Sequence, residues 1–150
     1  MQQQYPKLNL PTIELKIRKS SEKERLLVWA STRKCYLVLT PEEWVRRHFV
    51  AYLVSGCGAQ PEQICEEYPV MVNGLAQRAD VVVMDSGVHP LMLVECKAPT
   101  VAIDAAVYAQ AVRYNAIVGA RYVVLTNGMK HLCFELTANG YKPMTALAKF

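Results

Sequence analysis

Two runs, Arg78-Ala79-Asp80-Val81-Val82-Val83-Met84 and Leu91-Met92-Leu93-Val94-Glu95-Cys96-Lys97, constrain the fold more than any other feature of the sequence. Both are apolar at consecutive positions, so both faces of each strand must be covered, as in the central strands of a layered α/β domain. Neither run nor any other approaches the 18 or so apolar residues of a membrane span, which excludes a membrane protein. What makes the pair informative is its ends, where Asp80, Glu95 and Lys97 interrupt an otherwise hydrophobic hairpin.

The rest of the composition fits one domain. With 150 residues, 52% hydrophobic and 20% charged, the chain is expected to build a core without a disulfide framework or a structural metal. Met1 to Pro11 reads as a loose lead-in and residues 12–150 as a single continuous domain. Cys35, Cys57, Cys65, Cys96 and Cys133 are odd in number and scattered among apolar neighbours, which indicates free thiols. No Cys-x-x-Cys pair exists and His48, His89 and His131 are isolated, so a zinc site has no support. The first ten residues lack the pattern of a secretory signal, and a cytoplasmic location is expected. A net charge of +4 permits a polyanionic partner without demanding one.

Periodicity orders the elements. Ile13, Leu15 and Ile17 alternate with polar residues and lead through Lys19 to Arg25 into Leu26 to Trp29, a predicted hairpin. A short strand over Tyr36 to Leu39 precedes Thr40-Pro41-Glu42-Glu43, where Thr40 can cap, Pro41 suits the first helical position and Glu43 completes a capping box. The helix is predicted from Pro41 to about Val54. Three antiparallel strands follow, Ile64 to Val72, Ala79 to Met84 and Leu91 to Lys97. A second helix is expected over Ile103 to Val118, on the spacing of Ala106, Tyr108, Ala109, Val112, Ala116 and Ile117, with Gly119 as its stop. Strands Tyr122 to Thr126 and His131 to Leu136 close a mixed sheet flanked by helices.

If Ser86 to His89 form the loop between the two apolar strands, Asp85 pairs with Pro90, and counting back sets Asp80 opposite Glu95. Period-two alternation then gathers Asp80, Glu95 and Lys97 on one face. Burying such groups costs several kcal/mol per ion, on the order of the effective penalty in real proteins, unless they are paired or bind a metal. Two carboxylates suit Mg2+, with Mn2+ able to substitute, and a nearby lysine can orient a water and offset charge developing on a phosphate. Glu-x-Lys alone is cheap: Glu14-Leu15-Lys16 has it too, but in an alternating strand without an upstream acid, where a solvated face explains it.

Asp80, Glu95 and Lys97 resemble the PD-(D/E)xK nuclease signature, with Ala79 in place of its frequent proline. In order, Leu39-Thr40-Pro41-Glu42-Glu43-Trp44-Val45-Arg46, Arg78-Ala79-Asp80, Val94-Glu95-Cys96-Lys97-Ala98-Pro99, Gln110 to Tyr114-Asn115 and Leu125-Thr126-Asn127-Gly128 resemble the N-terminal nuclease domain of type I restriction enzyme restriction subunits. That resemblance implies a restriction-endonuclease-like mixed β-sheet flanked by helices, here with an N-terminal β-hairpin. It implies a Mg2+-dependent DNA endonuclease in which Asp80, Glu95 and the Cys96 backbone carbonyl ligate the metal and Lys97 positions the attacking water. In that family the domain precedes a helicase motor; this sequence holds no Walker motif, so a helicase or specificity subunit would be a separate partner. DNA is the expected substrate, cut by a monomer or by a homodimer.

Gln110 and Tyr114, four apart on the second helix, resemble the Gln-x-x-x-Tyr element of RecB-type nucleases, which implies that Gln110 holds Lys97 or the substrate phosphate and that Tyr114 orients DNA. The family often adds an acid from the first helix. At about 100° per residue, Glu42 falls on the stripe of Val45, Phe49, Tyr52 and Leu53 whereas Glu43 points away, so Glu42 is the expected accessory acid, with Glu66 or Glu67 as the alternative. Arg78 and Arg113, together with Arg46 and Arg47, are candidate phosphate contacts. The competing reading is a catalytically silent DNA-binding or assembly module of the same fold; a small-ligand domain lacks any Gly-rich phosphate loop.

Overall fold

The computed structural model describes residues 5–22, 24–147 and 149–150. Residues 1–4 of the expected lead-in lie outside the described residues. The remainder of that segment is packed down rather than loose: Leu8 is buried, the Tyr5 hydroxyl donates to the Leu39 carbonyl at 3.0 Å, and the Asn9 N–H donates to the Gly128 carbonyl at 2.8 Å.

The N-terminal hairpin gains a third strand. β1 (Ile17–Lys19), β2 (Leu26–Ala30) and β3 (Cys35–Val38) form an antiparallel sheet in that order. β1 begins at Ile17, so Ile13 to Lys16 precede the strand although they keep the expected half-buried and exposed alternation. Helix α1 (Pro41–Ser55) starts as expected, with Thr40 Oγ1 accepting from the Glu43 N–H and Pro41 in the first turn.

β4 (Ile64–Val72), β5 (Leu75–Met84), β6 (Pro90–Cys96), β7 (Tyr122–Thr126), β8 (His131–Thr137) and β9 (Gly140–Met144) form one six-stranded sheet in sequence order. Only β6 and β7 pair in parallel, joined by α2 (Ala105–Val118), which Asp104 caps by accepting from the Val107 N–H. Alternation sends Val81, Val83, Met92, Val94 and Val124 to a core shared with α1, and Val82, Leu93, Val123 and Leu125 to one shared with α2. Each helix therefore covers one face of the apolar centre, which is why those strands carry no polar side.

On α2 the buried face is Val107, Ala111, Tyr114 and Asn115; of the Ala106, Tyr108, Ala109, Val112, Ala116 and Ile117 stripe that spacing suggested, Tyr108 and Val112 are half-buried and the other four are exposed. The helix is alanine-rich, so its hydrophobic contrast is too weak to fix its rotation, and a hydrogen-bonded Asn115, donating to the Ala120 carbonyl at 2.9 Å, turns inward instead.

Candidate functional site

β5 and β6 run in the register Val81↔Val94, Val82↔Leu93 and Val83↔Met92, and the ladder ends at the first of these pairs, with Asp80 and Glu95 next along each strand. The turn that produces this register is not the expected one. Met84, not Asp85, pairs with Pro90, and an irregularity between Val83 and Met84 leaves Leu91 as an extra residue in β6. Asp85 closes the loop by accepting from the N–H groups of Gly87 and His89 at 2.8 and 2.9 Å.

The two carboxylates are in contact through backbone and side chain. The Asp80 N–H points at Glu95 Oε1 at 3.4 Å, and the Cys96 N–H donates to Asp80 Oδ2 at 2.7 Å. Glu95 is only 3% exposed. Burial first and the neighbouring charge of Asp80 second push its carboxyl well above the usual range, although Lys97 pulls the other way. Asp80 is also raised, again chiefly by burial, with the Cys96 N–H and the Arg46 charge opposing. Two carboxylates so placed cannot both ionise cheaply without a cation, and oxygen donors of this kind fit a hard divalent ion. Among the described residues no cluster of three or more His, Cys, Asp or Glu side chains is arranged to hold a metal.

Strand alternation breaks at Asp80. Val81 packs on the α1 side, whereas Ala79 packs in the α2-side core. The β4–β5 ladder is interrupted at the same level: Glu66 pairs with Val81 and Tyr68 with Ala79, leaving Glu67, at φ +53°, unpaired opposite Asp80. A left-handed non-glycine residue is uncommon and such positions gather at functional sites.

Lys97 lies one residue beyond β6, its N–H donating to the Thr126 carbonyl at 2.8 Å. Its ammonium reaches α2 and donates to Gln110 Oε1 at 3.1 Å; Gln110 Nε2 donates to the Tyr114 hydroxyl at 3.1 Å. Gln77 on β5, which the sequence reading passed over, accepts from that hydroxyl at 3.4 Å. Nothing in its own neighbourhood marks Gln77; only the register that brings β5 beside α2 does.

At the start of α1 the expected orientations are reversed. Glu42 is exposed and Glu43 is buried, gripped by Arg46 and by Arg47, whose Nε donates to Glu43 Oε2 at 2.7 Å. Arg46 also pairs with Glu67 at 2.5 Å, Arg47 with Glu66, and Thr32 of the small sheet donates to Glu66. Arg46 and Arg47 are thus consumed by a buried ion network and are not free to meet phosphates. Arg78 and Arg113 remain exposed. Thr40, Glu42, Glu43, Arg46, Glu67, Asp80 and Cys96 line a cleft of about 70 Å³. A larger hollow of about 540 Å³ between the small sheet and α1 takes in Glu14 and Lys16 but none of Asp80, Glu95 or Lys97.

Residues 41–147 match the family described as type I restriction enzyme R protein N terminus (HSDR_N). The chain belongs to this family. Its fold is similar to the fragment structure of a putative HsdR subunit of a type I restriction enzyme from Vibrio vulnificus YJ016, with a TM-score of 0.56 at 23% identity, covering 74% of this chain and 24% of that one. No curated protein matches the chain. The R protein N-terminal family accords with a nuclease domain, and the mixed sheet with a helix on each face is its α/β architecture. Among the described residues of this R-protein domain no helix is long and apolar enough to cross a membrane.

Proposed function

We propose that this domain is a Mg2+-dependent DNA endonuclease. The observation that carries the reading is the contact of half-buried Asp80 with buried Glu95, whose carboxyl feels the Lys97 charge, with Lys97 in turn bonded to Gln110. Asp80, Glu95 and the Cys96 carbonyl would hold the cation, for which Mn2+ can substitute. When bound, the ion polarises a phosphodiester oxygen and lowers the pKa of a water. The burial that makes the carboxylates poor anions alone makes them strong partners for a divalent charge.

Lys97 carries the protein's own share of the chemistry. Its ammonium is oriented by the Gln110 amide oxygen, so it can hold a water and stabilise the extra negative charge of the phosphorane-like transition state. Tyr114 buttresses Gln110 from the buried face of α2, while exposed Arg78 and Arg113 are placed to meet the DNA backbone. For the accessory acid, Glu42 keeps a position on the cleft beside Asp80, but Glu43 and Glu67 share it, and both are tied to Arg46. Within a type I restriction assembly the domain would work beside motor and specificity functions.

The test is direct. Supercoiled and linear DNA incubated with the purified chain and Mg2+ or Mn2+ should be cut by wild type and not by Glu95→Ala. A wild type that binds DNA but never cuts it under either ion would leave a silent assembly module.

A further inference from the structure

We propose that Gln77 is a positioning residue for Lys97, the terminal acceptor of a one-way hydrogen-bond relay; the proposal rests on the nuclease reading of this site. The direction follows from donor chemistry. An ammonium can only donate, so Gln110 must turn Oε1 toward Lys97, and the contact is 3.1 Å. That leaves Gln110 Nε2 facing Tyr114, where it donates to the phenol oxygen at 3.1 Å. The phenol, having accepted, has its own proton to place. Tyr114 is 6% exposed, and Gln77 Oε1 stands 3.4 Å from the hydroxyl. Gln110 cannot reverse its polarity without turning an N–H toward the Lys97 charge.

The relay also closes a ring of structure. Gln77 pairs with Val70 in the β4–β5 ladder and lies three residues before Asp80 on the same strand. Lys97 on the far side of Glu95 is therefore tied through α2 back to the strand that carries Asp80. The lysine is thereby linked to the strand of Asp80 as well as to its own backbone. Gln77 is exposed, so replacing it disturbs no core.

The experiment compares Gln77→Lys and Gln77→Glu in the full chain. Gln77→Lys removes the acceptor while adding a positive charge that tightens DNA binding for every sequence. Cleavage in single turnovers under saturating protein should fall about five- to tenfold, the scale of one net hydrogen bond, with DNA binding in Ca2+ undiminished. Gln77→Glu keeps an acceptor, so its saturated rate should return to within about threefold of wild type even though its binding weakens. The opposite order, with Lys cutting at the wild-type rate and Glu slow, would make Gln77 a plain DNA contact and overturn the proposal. Equal rates in all three proteins overturn it too.

A readout independent of cleavage is the exchange of the Tyr114 hydroxyl proton with water in the DNA-free protein, since that is the proton Gln77 accepts. Exchange should stay slow in Gln77→Glu and quicken in Gln77→Lys. If wild type cuts nothing, that failure belongs to the nuclease reading, and an unchanged hydroxyl exchange rate in Gln77→Lys overturns the relay by itself.

Discussion

The Asp80 N–H is aimed at Glu95 Oε1 from 3.4 Å, and the residue after Glu95 returns the contact, the Cys96 N–H meeting Asp80 Oδ2 at 2.7 Å. The cross-strand exchange fixes one carboxylate against the other through backbone groups that no substitution of a neighbouring side chain removes. A site whose acids are held this way changes its charge rather than its shape when one acid is neutralised.

Asp80→Asn should therefore fold normally and bind divalent cations poorly. Even outer partners of metal ligands cost about ten- to a hundredfold in affinity, so loss of at least about tenfold in Mg2+ or Mn2+ affinity by calorimetry is expected. Wild-type affinity in Asp80→Asn would place the metal elsewhere.

How much of this was legible in the sequence depends on what kind of force set each feature. Thr40-Pro41 announced α1 because capping is a local interaction. The Val81↔Val94 register next to Asp80 and Glu95 came through two compensating one-residue errors: the loop is a residue longer at Asp85 than the assumed turn, and the extra Leu91 in β6 restores the count. The expected inward turn of Glu42 and outward turn of Glu43 failed because hydrophobic periodicity has no place for a buried acid whose partners, Arg46 and Arg47, turn inward with it. β9 escaped notice because Pro143 argues against a strand; it is tolerated there at the sheet edge.

The same ion network makes a stability prediction. Arg47 is nearly buried against Glu43 and Glu66, whose side chain is fully covered. Arg47→Ala leaves Arg46 as the one remaining arginine against both Glu43 and Glu66, and breaking one partner of a buried pair costs about 3–5 kcal/mol. Urea unfolding should show a loss of that size, and a change under about 1 kcal/mol, typical of an exposed pair, would mean the network is solvated.

Acid should act on the network through Glu43. Burial tends to raise its carboxyl, but the hydrogen bonds and charges of Arg46 and Arg47 outweigh that and hold it below its ordinary value of 4.5. A depressed folded value means the unfolded chain takes up the proton first as pH falls. The stabilisation is complete above 4.5 and disappears as pH drops through the lower folded value. Urea midpoints of wild type and Glu43→Gln should differ at pH 7 and converge toward pH 3; a gap that stays constant would remove Glu43 ionisation from the account.

Lys97 separates catalysis from binding most cleanly. Its ammonium is engaged by Gln110; on the proposed nuclease reading it meets charge that develops only during reaction, so Lys97→Ala should spare the ground-state complex. Loss of one such electrostatic group typically slows turnover by about a hundredfold to a thousandfold. A lysine that merely anchored phosphate would weaken binding to all sequences and flatten the salt dependence. Single-turnover cleavage under saturating protein, set beside DNA binding in Ca2+, distinguishes them. A Lys97→Ala protein that binds DNA weakly yet cuts at the wild-type rate once saturated would move Lys97 to the binding surface, and with it the purpose of the Gln110 contact.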